Sequence, residues 1–205
     1  YEAILTGKLE IARAVTNEAI AENVDPHLII NNYMIKAMEE IGDRFQRQQA
    51  YVPELLMAAR AMKGSLELLK PHLKGEKTDT IGKIVIGTVF GDLHDIGKNL
   101  VASMFEGCGF EVVNMGVNIS ADKFVETVKI EKPDILCLSA LLTTTMSYMK
   151  VVMDALEKEG LRDQVKVMVG GAPVNELFAN QIGADGYSGN ANAAVIKAKE
   201  LLCIA

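Results

Sequence analysis

Tryptophan is absent from this chain of 205 residues, and the remaining aromatics, 6 Phe and 5 Tyr, are sparse. Apolar contact therefore falls to aliphatic side chains and to 10 Met, a residue that fills irregular apolar surfaces, whether in a core or against a bulky apolar-faced group. Basic residues are outnumbered, 21 Lys and Arg against 27 Asp and Glu, for a net charge of −6. That balance argues against nucleic acid as a partner, because phosphate binding needs concentrated cations. No apolar run approaches the ~20 residues of a membrane span and there is no signal-like start, so a cytoplasmic protein without a membrane partner is expected. The chain begins at Tyr1 rather than Met, and some N-terminal residues are expected to be missing from it.

Two kinds of metal chemistry are also short of ligands. Cys108, Cys137 and Cys203 lie far apart and form no CxxC, which points to reduced, mostly buried thiols rather than a redox or zinc motif. The 3 histidines, His27, His72 and His94, have no ligand spacing, so a conventional multi-ligand zinc site is not expected.

What the chain does have is apolar content, 49%, ample for real cores. Residues 1–74 read as helix throughout, with an apolar stripe at period 3.6 from Lys8 to Glu22. Asp25-Pro26 and Val52-Pro53-Glu54 are helix starts, the first leading through Ile29, Met34, Met38, Ile41 and Phe45, the second through Leu55, Ala59, Met62 and Leu69. Short connections between amphipathic helices imply a small bundle. From Pro71 to Thr80 periodicity gives way to Pro, Gly and charge, which marks residues 75–82 as a linker. Over residues 83–205 five short strands alternate with five helices, the pattern of a parallel sheet covered on both faces.

Ligands on such sheets sit beyond the carboxyl ends of the strands. The first strand is followed there by Gly91-Asp92-Leu93-His94-Asp95-Ile96-Gly97, and the third by Ser139-Ala140-Leu141-Leu142-Thr143-Thr144-Thr145. Gly170-Gly171 follows the fourth strand and Ser188-Gly189-Asn190 the fifth. A lone loop histidine is usually solvated or structural, and Asp92 and Asp95 have a plain reading as caps of the next helix. Asp92 also suits the carboxylate that orients a metal-bound imidazole. With no second ligand in reach, a metal on His94 needs its other positions filled from elsewhere, as a macrocycle with four equatorial nitrogens would do. A dinucleotide site fails for want of GxGxxG, and a phospho-receiver for want of an acidic residue ending the third strand. Gly170-Gly171 reads as a bare turn or as backbone opened for a long ligand.

Asp92-Leu93-His94-Asp95-Ile96-Gly97, then 41 residues, Ser139-Ala140-Leu141, then 28 residues, Gly170-Gly171, resembles the cobalamin-binding signature DxHxxG…SxL…GG in order and spacing. The upstream helices resemble the cap that precedes this domain in methionine synthase and in small corrinoid proteins of methyl-transfer systems. The resemblance covers essentially the whole chain. It implies an α/β protein, an N-terminal helical bundle (cap) followed by a five-stranded parallel, Rossmann-like (flavodoxin-like) cobalamin-binding domain.

The same resemblance implies roles. His94 matches the lower axial cobalt ligand, replacing the dimethylbenzimidazole base of the corrinoid, and Asp92 matches the carboxylate that holds it. Thr145 falls where methionine synthase has a serine that completes the trio, and it keeps the hydroxyl. Asp95, Ile96, Gly97, Ser139, Leu141, Thr143, Gly170 and Gly171 match cofactor-binding positions, most of them along the nucleotide tail. Phe45, Val52 and Leu55 match apolar residues shielding the upper face of the corrin, and a bundle-core role explains Val52 and Leu55 as readily.

The implied activity is that of a methyl carrier cycling between Co(I) and methyl-Co(III), not catalytic alone. Its implied partners are a substrate-specific methyltransferase, an acceptor methyltransferase delivering to tetrahydrofolate or a thiol, and a reductive activation protein. Methanol, methylamines, betaines and aryl methyl ethers are the implied donors. The competing reading is a cobalamin-binding sensor, but no DNA-binding or signalling domain accompanies the site.

Overall fold

In the computed structural model the described residues are 1–72 and 80–204. They divide into two compact units, Tyr1–Thr80 with Ser103–Gly109, and Ile81–Ala102 with Phe110–Ala205. Most of the expected linker, residues 75–79, lies outside the described residues.

The first unit contains α1 (Glu2–Leu5), α2 (Leu9–Ala21), α3 (Pro26–Ile29), a π turn (Ile30–Met34), α4 (Ile35–Gln46) and α5 (Val52–Leu69). Asp25 starts α3 as its sequence suggests: Oδ1 accepts the His27 N–H at 3.1 Å, and Pro26 takes the first helical position. The π turn departs from the plain helix expected here. Leu28, Ile29, Ile30, Met34, Ile35 and Met38 are too many for one stripe of period 3.6. One wide turn lets Ile29 and Met34, five apart, both be buried ahead of Met38 and Ile41, while Leu28 stays exposed. Helices α2 and α5 approach closely because Gly64 lacks a side chain; a Cβ there would meet Leu9 Cδ1 at 2.5 Å.

The second architecture runs β1 (Lys83–Thr88), α6 (Ile96–Gly107), β2 (Glu111–Asn114), α7 (Ala121–Glu131), β3 (Ile135–Ser139), α8 (Thr143–Met146), α9 (Tyr148–Lys158), β4 (Lys166–Gly170), α10 (Glu176–Ile182), β5 (Gly186–Ser188) and α11 (Ala191–Leu201). All four strand pairings are parallel, in the order β2-β1-β3-β4-β5. The inner strands are buried β-branched and aliphatic runs, as a sheet covered on both faces requires. Ser120, Asn175 and Asn190 start α7, α10 and α11 by accepting the N–H of Lys123, Phe178 and Ala193.

Strand order reverses between β1 and β3, which places the crevice of an open α/β sheet at their carboxyl ends. Register then aligns Thr88 with Ser139, Ser139 with Gly170, and Gly170 with Ser188 in one row along that rim. Cys108 and Cys137 are buried as expected, whereas Cys203, at the end of the last helix, is exposed. Among the described residues no helix is long and apolar enough to cross a membrane.

Candidate functional site

The turn after β1 contains Asp92, His94 and Asp95, and no helix or sheet ladder holds residues 92–95. Thr88 and Asn118 tether it instead. Thr88, fully buried at the end of β1, donates from Oγ1 to the His94 carbonyl at 3.0 Å. Asn118, between β2 and α7, accepts the Gly91 N–H at 2.8 Å and donates its own N–H to the Asp92 carbonyl at 3.0 Å.

Asp92 is fully buried and is the hub of the rim. Its Oδ1 lies 3.0 Å from the His94 backbone nitrogen and 2.7 Å from ring Nδ1. Its Oδ2 accepts the Thr145 hydroxyl at 2.6 Å and the Leu141 N–H at 2.8 Å, with the Leu142 N–H more distant at 3.4 Å. Burial by itself pushes this carboxyl up, but the hydrogen bonds from Thr145, Leu141 and His94 outweigh it and hold the group well below the usual carboxylate range. An ionised Asp92 can only accept, so the Nδ1 proton of His94 belongs to this contact and Nε2 keeps the lone pair. The His94 side chain is half exposed while its carboxylate is not, 50% against 0%.

The capping reading is thereby revised for Asp92. Asp92 does not cap α6; it meets the N–H groups of Leu141 and Leu142 at the start of α8. Both N–H groups lie just ahead of α8, which begins at Thr143 through a Thr run of modest helix propensity. Asp95 precedes α6, and its Oδ2 accepts from the Asn99 side chain at 3.0 Å.

The other rim positions are open or close to backbone. Ile96 and Leu93 are 87% and 71% exposed, and Leu141 lies exposed beside Asp92. Thr143 is exposed, and Ser139 is partly buried at the end of β3. Space beside Gly97 is free, with nothing within 4 Å of a hypothetical Cβ. Gly171 has φ +132° and passes so close to Ala140 that a Cβ would lie 1.8 Å from its carbonyl oxygen. Gly170 pairs with Ser139 and Ser188 in the same row. Asp92, His94, Leu141 and Thr145 are thus in direct contact, while Asp95, Ile96, Gly97, Ser139, Thr143, Gly170 and Gly171 belong to the same rim. Phe45, Val52 and Leu55 are in the helical unit, where Leu55 is fully buried and Val52 is 39% exposed.

Sequence reading missed Thr88 and Asn118. Thr88 looks like one more β-branched strand residue, and the only local hint of Asn118 is its place in the Gly116-Val117-Asn118 turn after a strand.

Such a site can lend one oriented imidazole nitrogen to a metal. Among the described residues no group of three or more His, Cys, Asp or Glu could hold an ion alone. A fitting ligand therefore brings its own remaining donors, has apolar surface for Leu93, Ile96 and Leu141, and has a narrow arm suited to glycine-lined backbone. A corrinoid meets all three conditions, so the residues present fit that group.

Comparison with known proteins agrees. One B12 binding domain family matches residues 82–196 and a second, also described as a B12 binding domain, matches residues 1–70. The trimethylamine corrinoid protein of Methanosarcina barkeri is 43% identical over 203 residues, 98% of this chain and 94% of that protein. The dimethylamine corrinoid protein of the same organism is 44% identical over 202 residues, 98% and 94% of the two chains. Among solved structures, a cobalamin-binding protein from Desulfitobacterium hafniense DCB-2 has a TM-score of 0.85 and 33% identity, covering 98% of this chain and 95% of that one. A chain of the methanol:cobalamin methyltransferase complex of Methanosarcina barkeri has a TM-score of 0.84 and 30% identity, covering 98% and 77%. The chain belongs to the B12-binding family, and the two Methanosarcina relatives it resembles over nearly their whole length are corrinoid proteins.

Proposed function

We propose that this corrinoid protein carries methyl groups taken from a methylated amine, with His94 as the lower axial ligand of its cobalt. The observation behind the donor class is identity of 43–44% to trimethylamine and dimethylamine corrinoid proteins over nearly their whole length. The observation behind the ligand is the Thr145–Asp92–His94 chain of hydrogen bonds.

When bound, the corrinoid supplies a cobalt centre that accepts a methyl group from one partner and yields it to another. The residues of the chain supply the rest. Asp92 keeps the Nδ1 proton of His94 in place, so Nε2 faces outward with its lone pair. Thr145 and the Leu141 N–H hold Asp92 still on its other side. Through Nε2 His94 would hold the cobalt of a bound corrinoid, with the ionised Asp92 behind the ring. Leu93, Ile96 and Leu141 would exclude water from a corrinoid held at His94, and Gly97, Ser139, Thr143, Gly170 and Gly171 would line the path of its nucleotide tail. By the resemblance, Phe45, Val52 and Leu55 of the helical unit would shield a bound corrinoid; within that unit Val52 is part of the surface and Leu55 of the core.

A methylamine-specific methyltransferase would load the carrier, an acceptor methyltransferase would unload it to tetrahydrofolate or a thiol, and a reductive activation protein would restore oxidised cobalt. Cobalamin-loaded, reduced chain should be methylated, by absorbance, with a trimethylamine- or dimethylamine-specific methyltransferase and its substrate. Methylation by a methanol-specific enzyme, and by neither amine enzyme, would overturn the donor assignment.

A further inference from the structure

We propose that Asn118 is a positioning residue for His94: it grips the turn from which the imidazole projects and so sets how fully His94 occupies the cobalt. The inference rests on the His94 assignment above.

Residues 92–95 carry the ligand without regular secondary structure, so side-chain and loop hydrogen bonds must place them. Asn118 takes both outward polar groups of the Gly91–Asp92 pair, the Gly91 N–H through its amide oxygen at 2.8 Å and the Asp92 carbonyl through its own N–H at 3.0 Å. The backbone shapes match this grip: Gly91 has φ +83° and Asn118 φ +59°, a left-handed conformation that Asn tolerates better than most residues. The loop that carries Asn118 is itself tied down. Gly116 accepts the Thr88 N–H and Ile119 donates to the Thr88 carbonyl, both at 3.0 Å. At its start, Asn114 Oδ1 accepts the Gly116 N–H at 3.1 Å and the buried Lys98 ammonium at 2.7 Å. Asn118 thus transmits a rigid sheet end to Asp92, and Asp92 orients the ring. A ligand site needs placement to about 0.5 Å, which an untethered turn of this length would not keep.

Asn118→Gly isolates the side chain, because glycine accepts φ +59° and keeps the N–H to Asp92. Asn118→Asp restores an acceptor for Gly91 and tolerates the same backbone. The readout is the nitrogen superhyperfine splitting in the electron paramagnetic resonance spectrum of full-length protein loaded with cobalamin and reduced to cobalt(II), recorded across pH. It reports the ratio of histidine-bound to histidine-free cobalt, which general loss of stability does not move. Asn118→Gly is expected to lower that ratio by about two- to tenfold, as for loss of one hydrogen bond, and Asn118→Asp to return it toward wild type. An unchanged ratio in Asn118→Gly, or equal loss in both variants, overturns the positioning role alone. A wild-type chain that binds cobalamin with no histidine nitrogen signal overturns the His94 assignment and this inference with it.

Discussion

Asp92 Oδ1 meets His94 twice, at its backbone nitrogen and at ring Nδ1, 3.0 and 2.7 Å away. One carboxylate oxygen therefore governs both where the residue sits and which way its ring turns. Asp92→Asn should disrupt both. An amide offers one acceptor oxygen and turns its NH₂ toward donors, leaving buried N–H groups unmet at a cost of about 3 kcal/mol in urea unfolding of the cofactor-free chain. Stability equal to wild type would show that Asp92 is not the hub described.

The same pair has a pH dependence with a definite sign. The folded Asp92 carboxyl lies below its unfolded value, so its contribution is complete above the ordinary carboxylate range and is lost as pH falls through that range toward the folded value. The stability gap between wild type and Asp92→Asn should be full at pH 7 and shrink as pH drops below about 4. A gap that widens on acidification would contradict this.

Thr145 approaches Asp92 through its hydroxyl, and its methyl group lies 3.7 Å from the position of a Cβ on Gly91. Thr145→Ser keeps the hydroxyl and should cost under about 1 kcal/mol, while Thr145→Val removes a charge-assisted bond and should cost about 2 kcal/mol in thermal unfolding. A loss in Thr145→Ser with none in Thr145→Val would assign the contribution to the methyl group instead.

Two glycines separate cofactor space from folding space. Gly171→Ala drives a Cβ into the Ala140 carbonyl at an unfavourable φ and should destabilise the chain by more than about 3 kcal/mol. Gly97→Ala finds open room at the start of α6 and should leave the cofactor-free chain as stable or slightly more so. Its added methyl should instead weaken cobalamin binding, measured by absorbance titration; unchanged affinity would remove Gly97 from the cofactor path.

Lys98 is 4% exposed and bonds Asn99 Oδ1 at 2.6 Å and Asn114 Oδ1 at 2.7 Å. Burial lowers its pKa, and Asp95 opposes that shift. Each amide oxygen keeps another donor if the ammonium is removed, Asn114 Nδ2 for one and the Gly116 N–H for the other. Lys98→Met should thus change stability by no more than about 1 kcal/mol in urea unfolding. A loss above about 3 kcal/mol would mean that the charge itself anchors the loop.

What could be read from sequence was whatever neighbours in the chain decide. Strand and helix alternation follows from apolar periodicity. The contact between Asp92 and His94 spans two residues of one turn, and Asp25, Ser120, Asn175 and Asn190 start helices a few residues away. Tertiary structure decided the contacts between loops that only strand order brings together. The order β2-β1-β3-β4-β5 puts the turn after β1 between the loops after β2 and β3, so Asn118 grips it from one side and Thr145 from the other. Thr145 was legible only through the family resemblance, and Asn118 offers no more than its place in a turn after a strand, because a side-chain hydrogen bond across loops leaves no period in the sequence. His94 stands out in the chain itself, but the hold on it is a property of the fold.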